Sequence, residues 1–73
     1  MSRLTHRDYE ALERAIVDGT RVVIRRPGRR DHVVIPLRLF LKGGREIVEA
    51  RNSTTGNAME IDLEEVEHLE VVR

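Results

Sequence analysis

Seventy-three residues with no internal repeat and no linker-like stretch read as one domain spanning 1–73, and a domain this small buries only about 60% of its unfolded surface, which argues against a deep substrate cleft. The absence of cysteine excludes disulfides and thiolate metal sites, and no apolar run approaches the roughly 18 residues of a membrane span. Basic and acidic residues cancel, thirteen against thirteen, but they are sorted along the chain. Between Arg21 and Arg45 eight basic residues face Asp31 alone, a balance of +7, whereas from Glu46 to Arg73 eight acids face Arg51 and Arg73, a balance of −6. Folding can interleave these halves as cross-strand pairs or leave two faces of opposite sign.

The N-terminal residues Met1 to His6 lack the apolar centre of a secretory signal, so a soluble, cytoplasmic protein is expected. Thr5 followed by Asp8 resembles a capping box, with Leu4 and Tyr9 in the two staple positions. A helix is therefore predicted over about 5–18. Tyr9, Leu12, Ala15 and Ile16 form its apolar stripe, Glu10 and Arg14 pair on the solvent side, and Gly19 supplies the left-handed stop. The stripe is narrow. Such a helix covers another element and does not form half of a bundle.

From Thr20 the period changes to two. Val22 and Ile24 alternate with Arg21, Val23 and Arg25 in a first strand, and Arg26-Pro27-Gly28-Arg29 has the Pro and Gly placement of a type II turn. Val33, Ile35, Leu37, Leu39 and Leu41 then alternate without a break on one face of a long second strand, with Val34, Pro36, Arg38, Phe40 and Lys42 on the other. Pro36 cannot donate to a ladder and marks a bulge, bend or edge within it. Gly43-Gly44 provides the positive φ of a tight hairpin, and Arg45 to Arg51 returns with Val48 and Ala50 on one face and Ile47 on the other. Asn52 to Asn57 is a polar loop, Met59, Ile61 and Leu63 mark a fourth strand, Leu63 to Glu67 suits one helical turn with Val66 inward, and Leu69 and Val71 close with a fifth strand.

The fold class expected is mainly β with one N-terminal α-helix, in the order α-β-β-β-β-β. One helix stripe and one sheet face are both buried if the strands, over about 20–73, curl into a small five-stranded SH3-like or Sm-like barrel. An open five-stranded sheet with the helix on one face is the alternative. The predicted core is Leu12, Ile16, Val22, Ile24, Ile35, Leu37, Leu39, Val48, Ala50, Ile61, Leu63, Val66, Leu69 and Val71.

From about Leu12 to Val72 the pattern resembles the WYL domain, a small Sm-like barrel of bacterial transcription regulators. The residues that carry the resemblance are Asp18-Gly19, the basic first strand, Pro36-Leu37 with Leu39, Gly43-Gly44-Arg45, Ala50, and Ile61-Asp62-Leu63-Glu64-Glu65-Val66. It implies a regulatory module that senses a nucleotide-like or single-stranded nucleic-acid ligand beside a helix-turn-helix domain. The family's Trp-Tyr-Leu signature is replaced here by Glu46-Ile47-Val48, and three positions usually held by arginine carry His32, Asp62 and Glu65. Loss of arginine forks and of a stacking aromatic implies that the family's usual ligand is not held. A second resemblance, resting on Asp8-Tyr9-Glu10-Ala11-Leu12-Glu13, is to small proteins that inhibit the termination factor Rho through acidic surfaces.

His6, His32 and His68 lack metal-ligand spacing, and neither Ser2 nor Ser53 has a base at usable spacing. No enzyme activity, metal or cofactor is expected. Arg25, Arg26, Arg29 and Arg30, with His32 and Arg38, are the candidate anion or nucleic-acid contacts. Phe40, Ile47, Glu60, Asp62, Glu64 and Glu65 are the candidate protein interface. The function expected is a non-enzymatic regulatory or interaction module acting through a protein partner or self-association. Polyanion binding by the first hairpin and Rho inhibition are the alternatives.

Overall fold

The computed structural model describes residues 3–72; Met1, Ser2 and Arg73, which entered the readings above, lie outside them. Helix α1 (His6–Asp18) begins where the capping box places it, with Thr5 Oγ1 accepting from the Asp8 amide at 3.2 Å and Asp8 Oδ2 accepting from the Thr5 amide at 2.9 Å. It ends at Gly19, whose φ of 70° is open to glycine at little steric cost. Leu12 and Ala15 are fully buried, and the helix packs over β2 (His32–Lys42) and β5 (His68–Val71).

The remaining strands are β1 (Val22–Arg25), β3 (Arg45–Asn52) and β4 (Ala58–Asp62). All pairings are antiparallel, in the order β4-β3-β2-β1-β5. The strands β4 and β5 are consecutive in sequence yet occupy opposite ends of that order. In a flat sheet they would stand four spacings of about 4.8 Å apart, some 19 Å. The connection from Asp62 to His68 reaches only about 20 Å when fully extended, and Leu63–Glu65 spends three of its residues as a 3-10 turn rising about 2 Å each. The sheet therefore has to curl. Side chains from every strand meet in one core of Val22, Ile24, Val34, Val48, Ala50, Ile61, Leu63, Val66 and Leu69, with Leu4, Leu12 and Ala15 as the lid.

The second strand departs from the even alternation read in its sequence. Pro36 pairs with Ala50 and Arg38 with Glu49, so Leu37 is an extra residue, a β-bulge. Passing a bulge reverses the side that each parity faces. Before it Val34 and Pro36 are the buried residues; after it Leu39 packs against the core. Ile35 and Leu37, predicted as core, instead lie half-buried and 39% exposed, respectively, and Val33 is 37% exposed. Pro36, which brings no N–H to a ladder, directly precedes the extra residue. Ile16, Leu39 and Val71 are only partly buried, packed against the rim of the core.

Candidate functional site

The β1–β2 turn places its arginines unequally. The type II geometry is formed, with the Arg29 amide donating to the Arg26 carbonyl at 3.2 Å and Gly28 at φ 71°. Arg25, at the end of β1, points across the turn and donates to Asp31 through Nε (3.1 Å) and Nη2 (3.2 Å). This two-pronged contact holds the Asp31 carboxyl below its ordinary range and raises the Arg25 guanidinium. Arg30 is exposed. Arg26, one of the candidate anion contacts, is only 7% exposed.

Burial is the main force lowering the Arg26 pKa; nearby Arg29 adds to it and Glu65 opposes it. Its Nη2 lies 3.4 Å from His32 Nδ1. Its Nε is closed off from solvent and has no hydrogen-bond partner among the described residues. An unsatisfied buried donor costs on the order of 1–3 kcal/mol, and this one sits on a charged group. Arg26 lines a shallow pocket of about 310 Å³ with Arg3, Pro27, Arg29, Glu64 and Glu65. Arg3 is engaged with Glu67 at 3.3 Å. Two members of the predicted anion site and two of the predicted protein interface thus meet in one place.

The 3-10 turn supplies the acidic wall of that pocket. Asp62 caps the turn, its Oδ1 accepting from the Glu64 amide at 2.9 Å while Arg45 donates to its other oxygen. Both bonds favour the carboxylate and hold Asp62 below its ordinary pKa, the Arg45 contact contributing most. Glu64 and Glu65 follow on the exposed side of the turn, while Leu63 and Val66 anchor it in the core.

The other predicted residues occupy the outer face of β2, β3 and β4. Phe40, Ile47 and Asp62 form one cross-strand row, and Arg38, Glu49 and Glu60 the next. Phe40 is half-buried with the Arg38 guanidinium 4.5 Å above its ring. Ile47 is buried. Arg38 reaches Glu49 at 2.7 Å and Lys42 reaches Glu60 at 3.3 Å, and Arg45 closes the row on Asp62. The basic and acidic halves of the chain interleave here. Arg38 is accordingly engaged on this face and does not join the cations of the turn.

The same outer face continues past the bulge into Ile35, Leu37 and Val33, with Val23 opposite Val33 on β1. Sequence reasoning missed this apolar extension, and the signal that could have found it was Pro36. Among the described residues no group of three or more His, Asp or Glu is placed to hold a metal ion, and no helix is long and apolar enough to cross a membrane.

No family model matches the sequence, and no curated protein matches it. The solved structures do. The chain shares its fold with Proteasome accessory factor B/C (PafBC) of Arthrobacter aurescens. The TM-score is 0.77 at 22% identity, over 93% of this chain and 12% of that one. This chain therefore spans about an eighth of PafBC. The likeness is one of fold, and at this identity it transfers no residue's role.

Proposed function

We propose that this chain is a non-catalytic, WYL-like regulatory module in transcription-related control, working by binding through the outer face of its sheet. The observation that carries this reading is the correspondence of nearly the whole chain to one portion of PafBC, taken with the WYL-like residue pattern of the sequence. Such a module works by contact with something else, another protein or a second copy of itself. The surface proposed for that contact runs from half-buried Phe40, which with Arg38 covers buried Ile47, across the bulge to Leu37 and Val33. Its centre is apolar, and its border is charged by Arg38, Glu60 and Arg51, the arrangement of an interface core inside a polar rim.

Transcript profiling tests the proposal. Loss of the gene should alter a defined set of transcripts, wild-type protein should restore them, and a Val33→Asp/Leu37→Asp protein that folds normally should not. An unchanged transcript profile would reject the regulatory reading. Full rescue by the double variant would reject the surface.

A further inference from the structure

We propose that the pocket between the β1–β2 turn and the 3-10 turn binds a small zwitterion, an anionic group held by Arg26 and Arg29 with a protonated amine held at Glu65. The proposal stands independently of the regulatory reading above, because it rests on a different surface.

Three observations carry it. The first is Arg26 itself, 7% exposed with Nε unpartnered among the described residues. Arginine presents its Nε and Nη donors as a planar fork matched to two oxygens of a carboxylate or phosphate, and among the described residues the one side-chain hydrogen-bond contact on this fork is His32 at 3.4 Å. Nε itself is closed off from solvent, so a bound anion would be taken at the Nη end of the fork, where Arg26 lines the pocket. The second is Arg29, which lines the same pocket from the exposed side and makes no ion pair among the described residues. The third is the 3-10 turn. Glu64 and Glu65 line the same 310 Å³ space as Arg26, Arg29 and Arg3, so it presents carboxylates as well as guanidinium groups.

That third feature sets the ligand class. A polyanion such as a nucleic-acid backbone would bring successive negative charges against the glutamates, a repulsion with no gain to offset it. A ligand with one anionic group and an ammonium a few bonds away satisfies both kinds of group. The anion can be a carboxylate or a phosphate, since the Arg fork accepts either.

Calorimetric titration of the full chain with two matched pairs decides the matter: 4-aminobutyrate against butyrate, and phosphoethanolamine against ethyl phosphate. Nitrogen-15 spectra of the Arg26 Nε–H report where each probe sits. In at least one pair the amine-bearing member should bind on the order of tenfold more tightly and shift the Arg26 Nε–H signal. Which pair responds identifies carboxylate or phosphate as the anion. Arg29→Ala, at an exposed position that leaves the core intact, should weaken both members of the responsive pair, and Glu65→Gln should erase the difference between them. No saturable binding by any of the four, equal or tighter binding of the amine-free members, or binding that leaves Arg26 Nε–H unmoved would overturn the proposal.

Discussion

The Tyr9 hydroxyl donates to Glu46 Oε1 at 2.8 Å and so ties α1 to the start of β3. Glu46 has the parity of Val48 and Ala50, which point into the barrel, so its carboxylate lies at the barrel's rim beneath the helix. Tyr9→Phe removes the donor and leaves the half-buried acid without it. Stability in urea should fall by about 1–2 kcal/mol. Glu46→Gln, which retains an acceptor, should cost less.

Deleting Leu37 should be far more damaging than truncating it. The deletion removes the bulge residue, so the parity of β2 on one side of Pro36 must reverse and either Val34 or Leu39 must turn to solvent. The deletion variant should fail to unfold cooperatively, as judged by circular dichroism and urea titration. Leu37→Ala, at a partly exposed position, should stay within about 0.5–1 kcal/mol of wild type.

The contrast between Pro36 and Leu37 shows how far the sequence could be read. Helix limits, turn types and the β-strand count follow from local signals such as Thr5, Gly19, Pro27-Gly28 and Gly43-Gly44, and the curled sheet from the need to bury one helix stripe and one sheet face. Pro36 announced an irregularity, but nothing local states how many residues it inserts, and one inserted residue reverses the facing of Val33, Ile35 and Leu37. The Arg26 pocket was hidden for a different reason. Its two walls come from turns nearly forty residues apart, and charge sorting along the chain gives no register by which Arg26 meets Glu65 while Arg38 meets Glu49.

Acid should unfold the protein partly through Asp62. Its folded pKa is held below the ordinary aspartate value of about 3.9 by Arg45 and then by the Glu64 amide. The stability it contributes is present above that unfolded value and is lost as pH falls through the lower, folded one. Asp62→Asn should therefore be less stable than wild type near pH 6, with the gap closing in the acid limb of a thermal-melt series. A gap that stays constant down to the lowest pH would show that Asp62 acts through its cap bond and not through its charge.

Arg26→Met replaces an incompletely bonded buried cation with an apolar chain of similar length. Without ligand, the variant should be as stable as wild type or more stable by about 1 kcal/mol, because no unsatisfied donor remains. Arg26→Ala, which loses the packing of the stem, should be destabilised. Urea titration of the three proteins in ligand-free buffer makes the comparison. A large loss in Arg26→Met would mean that the guanidinium is a structural group and not one kept in place for a partner.

The placement of Val33 and Leu37 on the outer face underlies the proposed working surface, and the absence of cysteine makes it directly measurable. Single cysteines at positions 34 and 37 can be challenged with a thiol reagent under native conditions. Cysteine at 37 should react at once, and cysteine at 34, fully buried in the parent residue, only at the rate of unfolding. Rapid reaction at 34 with protection at 37, the outcome of unbroken alternation along β2, would contradict the account.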